Sequence, residues 1–272
     1  MTTVRTTVSK QLLSPTGGYL TGYTHTLNPY SGCAFACSYC YVRRMPIALF
    51  RGEPWGEWVD LKSNAATLLK KDMQKARKNG PVTIFMSSAT DPYQPVEAIA
   101  LLTRSLLETM AAECRPDFLF VQTRSPLVTR DLELFQAFGD RIRVSVTVET
   151  DEEAMRKAFS PAAPPIPARM KALRQLREAG IPSQAAVSPV LPSSPQFAEK
   201  LAEVTERVVV DDFFRGDGSG GSRTKALNMG AVFGALGLEE WYRPEAIEPV
   251  FDRMRQAFGE DRAFKSREGF LP

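Results

Sequence analysis

The chain has 272 residues, 43% of them apolar, and a net charge of +3. That length suits one large α/β domain or two small ones, and the apolar share is ordinary for a globular core. No run approaches the ~18 apolar residues of a membrane span, and the opening MTTVRTTVSK has no signal-peptide core, so a cytosolic protein without a membrane partner is expected. The isoelectric point of about 8.7 permits a nucleic-acid or phosphate partner but lacks the strong basic clustering that would argue for one.

Residues 1–18 are polar and β-prone without clear periodicity, and Pro15, Gly17 and Gly18 mark a turn at their end, so they read as an N-terminal arm. Residues 19–27 alternate enough for a first strand, closed by Asn28-Pro29. Directly after it comes NPYSGCAFACSYCYVRR, residues 28–44, in which Cys33, Cys37 and Cys40 stand as C-x-x-x-C-x-x-C with Tyr39 before the last. Three thiolates this close in sequence can converge on one soft metal centre. A [4Fe-4S] cluster normally takes four cysteines, so a three-cysteine loop leaves one iron open to a ligand that is not protein. A zinc knot, a disulfide pair and plain buried cysteines are the alternatives. Zinc wants a fourth ligand, for which the usual candidates are Cys114 and His25. Three clustered thiols in a reducing compartment favour metal over disulfide.

Trp55 and Trp58 fall in a Gly/Pro-interrupted connection, and residues 63–78 then read as a helix. Its apolar stripe is Ala65, Leu68, Leu69, Met73 and Ala76, with Lys70, Lys71, Lys75 and Lys78 as a solvated face. Asn79-Gly80-Pro81 stops it, and 82–86 is a short buried strand. The unit repeats: helix 95–113, strand 118–122, helix 128–138, strand 142–148, helix 164–179, strand 184–191, helix 194–206, strand 208–213, then helices 224–236 and 244–258. Strands alternating with helices argue for a parallel sheet with helical crossovers. The number of units predicts an α/β fold of the (β/α)6 partial TIM barrel type over 19–240, with 241–272 as a helical extension packed on it.

Such barrels place their chemistry at the carboxyl ends of the strands. The second strand ends in Ser87, Ser88, Ala89, Thr90, Asp91, Pro92, Tyr93, Gln94 and Pro95, where hydroxyls and a carboxylate can hold an ammonium group. Capping of the next helix by Thr90 or Asp91 is compatible with that role. The third ends in Thr123-Arg124-Ser125, whose cation can pair with a carboxylate. On the fourth strand Ser145, Thr147 and Glu149 share one face, opposite Val144, Val146 and Val148. Polar groups on a buried strand need partners, either neighbouring strands or a ligand inside the barrel. The fifth ends in Ser188, Pro189 and Val190, and after the sixth, residues 211–223 form a Gly-rich segment suited to a flexible loop over the substrate mouth.

The C-x-x-x-C-x-aromatic-C loop resembles the signature of the radical S-adenosylmethionine (SAM) superfamily, and T-D-P-Y-Q-P with T-R-S resembles its spore photoproduct lyase-like group. The resemblance runs over residues 19–192 and weakens along the chain. It implies the partial barrel, a [4Fe-4S] cluster on Cys33, Cys37 and Cys40, and SAM on the open iron. It further implies SAM contacts from Tyr39, Ser88, Thr90, Asp91, Arg124, Ser145, Thr147 and Ser188, with Val190 as an apolar wall against adenine. The implied activity is reductive cleavage of SAM to a 5'-deoxyadenosyl radical that abstracts a hydrogen atom from the substrate. A DNA lesion or other nucleic-acid component is the substrate the group suggests; a small molecule or peptide, or a non-catalytic iron-sulfur protein, are the alternatives. An electron donor such as flavodoxin or ferredoxin is the implied partner. The lyase returns a hydrogen atom from a cysteine, and here Cys114 is placed at the opposite rim from the cluster loop, which puts the repair reaction in doubt.

Overall fold

The computed structural model describes residues 2–272. Eleven strands are formed: β1 (Thr3–Thr7), β2 (Leu13–Pro15), β3 (His25–Leu27), β4 (Tyr30–Ser31), β5 (Trp58–Lys62), β6 (Thr83–Met86), β7 (Phe118–Thr123), β8 (Ile142–Thr147), β9 (Ser183–Val187), β10 (Val208–Val210) and β11 (Ala263–Lys265). The main sheet runs β11-β10-β9-β8-β7-β6-β3-β2. Every neighbouring pair in it is parallel except β2 with β3. Helices Ala65–Ala76, Leu102–Ala112, Leu132–Gln136, Ile166–Glu178 and Phe197–Ala202 carry the crossovers. This is the partial barrel expected of the alternating pattern, with six of its strands in the predicted order.

Side-chain alternation explains the curvature. Ile84, Met86, Leu119, Val121, Val144, Val146, Val208 and Val210 face the helices in one large core. The opposite face holds Phe85, Phe120, Ala186 and Val209, packed with Tyr23 and Phe270. Strands apolar on both faces are those buried between crossover helices and a filled interior.

Several elements differ from the sequence pattern. The first strand is only β3, because Gly18–Leu20 turns in a 3-10 helix before it. The arm is woven into the structure: β1 pairs with β5, and β5 with β4, as a separate three-stranded sheet. The segment 241–272 supplies the helix Ile247–Phe258 and also β11, which extends the main sheet beyond β10. Its last turn seals the barrel floor, where Tyr23 Oη donates to the Phe270 carbonyl at 2.6 Å. Gly269 permits this approach, since a Cβ there would lie 2.3 Å from Val209 Cγ2. A short helix after β8, Glu153–Phe159, has no counterpart in the predicted elements because seven residues carry too little periodicity.

Candidate functional site

The cysteine loop leaves the carboxyl end of β3 and is fixed from both sides. Gly32 lets it pass β5: φ is +83°, and a Cβ would sit 2.4 Å from the Trp58 carbonyl oxygen. Ala34 N–H donates to Gln94 Oε1 at 2.9 Å, and Thr90 Oγ1 donates to the Gly32 carbonyl at 2.6 Å. From beyond β8, the Phe159 carbonyl accepts both Ser38 N–H and Ser38 Oγ at 2.9 Å. Arg43 reaches back to the carbonyls of Cys37 (2.9 Å) and Ala36 (2.6 Å). These bonds tie several of the loop's backbone groups to the surrounding protein, and its three thiols are not in disulfides.

Cys33, Cys37 and Cys40 all line one cavity of about 410 Å³ above the barrel. Burial pushes all three thiols up. Cys33 is raised well above the usual range with Asp91 adding to the effect, Cys37 rises against the pull of Arg124, and Cys40 reaches about 11. They are protonated at neutral pH unless a metal displaces the protons. Among the described residues no three His, Cys, Asp or Glu side chains converge to hold a single ion. Three soft thiol donors on one cavity would fit an iron-sulfur centre, and Asp91, the carboxylate beside Cys33, is already occupied by Thr123 and two backbone N–H groups.

Beneath and beside the thiols lies a buried charge relay. Glu149 accepts from Arg169 at 2.6 Å, from Arg124 and from Tyr39 Oη. Burial opposes its ionisation, yet the two guanidinium groups and the tyrosine hold its carboxyl down to about 2. The same pairing keeps Arg124 charged despite its own desolvation. Asp91 is spent on the neighbouring strand end: its oxygens accept Thr123 Oγ1 (2.6 Å), Tyr93 N–H (2.9 Å) and Arg124 N–H (2.9 Å). Burial nonetheless raises its pKa.

The structure brings most of the sequence-derived residues to the cavity. Ser88, Thr90, Asp91, Arg124, Thr147 and Ser188 line it with the three cysteines. Tyr39, Ser145 and Val190 are not among its lining. Tyr39 turns to Glu149, Ser145 accepts from Gln184 at 3.3 Å inside the barrel, and Val190 packs in the outer core. Thr147 Oγ1 accepts from Gln122 Nε2 at 2.7 Å. Cys114 follows the helix Leu102–Ala112, packs against the main core and is not among the cavity lining; His25 opens β3 beside Thr24.

Three lining residues carry buried polar atoms without a protein partner: Ser87 Oγ, at the strand end expected to hold an ammonium group, and Trp55 Nε1 and Gln122 Oε1, which lie outside the expectations. Such atoms are rare in native structures and point to a ligand. Gln122 was legible from alternation, two residues beyond the inward Phe120; Trp55 was not, since only the long-range fold brings it there. The segment after β10 folds over the mouth, contributing Asp211, Gly216, Asp217, Gly218 and Arg223 opposite Tyr19. Asp217 fixes it by accepting the backbone N–H groups of Ser219 (2.7 Å), Gly221 (2.9 Å) and Arg223 (3.1 Å).

An open, largely parallel barrel with a cavity lined by three thiols and several unpartnered polar atoms at the carboxyl ends of its strands is the architecture of a metal-dependent α/β enzyme. The family model described as the radical SAM superfamily matches residues 27–203, and the chain belongs to that superfamily of enzymes. The chain is 35% identical over 184 residues to an uncharacterized protein of Methanocaldococcus jannaschii, a stretch covering 68% of this chain and 66% of that one. It is also 35% identical over 190 residues to an uncharacterized protein of Acidianus two-tailed virus, covering 67% and 61% respectively. The matched part is therefore just under two thirds of each relative's length. Among solved structures, a mutant of spore photoproduct lyase superposes with a TM-score of 0.66 at 15% identity, covering 97% of this chain and 81% of that one. The lyase complexed with dinucleoside spore photoproduct gives a TM-score of 0.65 at 16% identity, over 97% and 81%. The fold is shared with that enzyme. Among the described residues no helix is long and apolar enough to cross a membrane.

Proposed function

We propose that Cys33, Cys37 and Cys40 hold a [4Fe-4S] cluster, that SAM occupies the adjoining cavity, and that the substrate is a nucleic-acid component. The observation that carries this reading is the convergence of three thiols and three unpartnered polar atoms on one cavity. When bound, the two groups supply one-electron cleavage of the sulfonium and a 5'-deoxyadenosyl radical that takes a hydrogen atom from the substrate.

The chain's own residues then have assignable work. Ser87 and Ser88 stand at the end of β6 with hydroxyls for an ammonium group. Arg124 presents a cation anchored by Glu149, suited to a carboxylate. Gln122, Thr147 and Ser188 offer donors and acceptors to ribose hydroxyls from the ends of β7, β8 and β9. Trp55 closes one wall with an N–H to give. Tyr19, Tyr41 and Arg223 line the mouth, a pairing of aromatic rings and a cation that suits a base and its phosphate. The fold shared with a protein complexed with a dinucleoside lesion supports that substrate class. Of the described cysteines only the three in the loop line the cavity, so a thiol for returning a hydrogen atom, as in the lyase, is not provided there.

Anaerobic reconstitution followed by iron and sulfide analysis, electron paramagnetic resonance with and without SAM, and assay of 5'-deoxyadenosine tests the reading. Wild type should bind about four irons per chain, show a SAM-perturbed spectrum and release 5'-deoxyadenosine. Cys37→Ala should lose all three signals; a colourless wild-type protein retaining zinc would sink the proposal.

A further inference from the structure

The chain leaving Cys40 forms a 3-10 turn, Tyr41–Arg44, and then a one-turn helix, Pro46–Leu49. Met45, Ile47 and Ala48 pack against the apolar cluster that contains the three cysteines. The same segment turns Leu49 and Phe50 outward, 53% and 87% exposed. Two large apolar side chains adjacent in sequence and uncovered offer a small apolar centre to a partner.

Near this centre lie several cations that no carboxylate pairs. Arg43 and Arg44 are tied only to backbone carbonyls, those of Ala36 and Cys37 and that of Ala226 respectively. The bond from Arg44 brings in the helix Ser222–Ala226, which carries Arg223, bonded to the Asp217 carbonyl, and the exposed Lys225. Among the described residues none of these four cations is in an ion pair with a carboxylate. By contrast Arg51, next to Phe50, is neutralised by Glu53 and Asp60. A small apolar centre with an uncompensated basic rim is complementary to an acidic partner, and electrostatic steering of this kind governs encounter rate more than final affinity.

We propose that Arg44, Leu49 and Phe50 form the docking surface for an acidic one-electron carrier protein that reduces the iron-sulfur group at Cys33, Cys37 and Cys40. This rests on the cluster reading above. One electron passes per encounter, so the carrier is oxidised by one and the cluster reduced by one, with no atom transferred. The segment is the covalent continuation of Cys40, and Met45, Ile47 and Ala48 on it pack against the apolar cluster around Cys33 and Cys37, so a carrier seated on Phe50 would sit on the segment that continues the cysteine loop. Leu49 and Phe50 do not line the cavity, whereas Tyr41, Met45 and Arg223 do, so the carrier face adjoins the substrate mouth without occupying it. Transient electron-transfer interfaces are small, which a patch of this extent can supply.

The test uses reduced flavodoxin as probe and dithionite as a small reductant that needs no docking surface. Flavodoxin affinity is measured by calorimetry, and cluster reduction by bleaching of its visible absorbance. Phe50→Ser and Arg44→Glu should each weaken binding and slow flavodoxin-driven bleaching about tenfold at sub-saturating carrier, with dithionite bleaching unchanged. Wild-type binding should weaken as salt rises. Ile99→Ser, at an apolar side chain 88% exposed on a different helix, serves as the control and should change nothing. Equal flavodoxin rates in wild type and both variants, with dithionite bleaching intact, overturn the docking face alone. Loss of oligonucleotide binding with flavodoxin affinity preserved also overturns it, assigning the surface to nucleic acid. Failure of dithionite to bleach wild type instead strikes the underlying cluster reading.

Discussion

Replacing Glu149 by Gln should destabilise the fold by about 3 kcal/mol at pH 7. The carboxylate is 2% exposed and lies between two guanidinium groups, one of them, on Arg169, with no exposure at all. Its pKa falls from the ordinary 4.5 to about 2. At 1.36 kcal/mol per pH unit that difference is worth about 3 kcal/mol, within the ~3–5 kcal/mol typical of breaking a buried pair from one side. The sign follows from a depressed folded pKa. The contribution is fully present above the unfolded value near 4.5 and is lost as pH falls toward 2. Urea denaturation of the metal-free protein at pH 7, and again at pH 3.5, measures it: the gap between wild type and variant should be large in the first and visibly smaller in the second. A gap below about 0.5 kcal/mol at pH 7, the range of an ordinary surface substitution, would refute the idea that this cluster holds the ends of β7 and β8 together.

Gln94→Leu keeps the volume but strips the loop of its anchor on Ala34 N–H; it should cost about 1–3 kcal/mol and lower the iron content after reconstitution, read by chemical denaturation and iron analysis. Gly32→Ala forces a Cβ against the Trp58 carbonyl at positive φ; a loss of at least about 2 kcal/mol is expected in the same denaturation assay. Asp211, pushed up to about 6 by burial in spite of the hydroxyl of Tyr19, gives a pH dependence of opposite sign to Glu149. Its folded pKa is raised, so stability should fall as pH rises from about 4 through 6, and the melting temperature of Asp211→Asn should lack that slope between pH 5 and 7.5.

What the sequence made legible is tied to period and to local spacing. The alternation in β8 put Ser145, Thr147 and Glu149 on the inner face because the valines between them had to face the helices, and they do. The three cysteines could be read because the ligand spacing is contained in one loop. Arg169 could not, since it sits in a helix whose apolar stripe explains the local pattern without it, and only the packing of that helix on β8 delivers it to Glu149. Strand β11 was hidden for a related reason. Three residues between two helical turns carry no periodic signal, and the segment becomes a strand because β10 offers it an open edge. Tyr39, adjacent to Cys40 in sequence, was expected at the cofactor; it is not among the cavity lining, and its hydroxyl donates to Glu149 while accepting from Arg124.

The arrangement of the cysteine loop also explains why an open iron would be tenable here. A loop that lacks a fourth ligand gains no closure from the metal and must be held by the protein. Gln94 and Thr90 reach it from the end of β6, the Phe159 carbonyl from the helix after β8, and Arg43 from its own continuation. Three of these fixings come from segments at the strand ends and the fourth from the loop's own continuation, and none of them uses a thiol. The Glu149 cluster plays the matching role on the other wall: one carboxylate is shared between Arg169 and Arg124, which leaves one net positive charge, so that Arg124 meets an incoming carboxylate already oriented. Preorganisation of this kind places the ordering cost in folding, which is why the sharpest losses are expected from Gln94, Gly32 and Glu149, none of which is a thiol ligand.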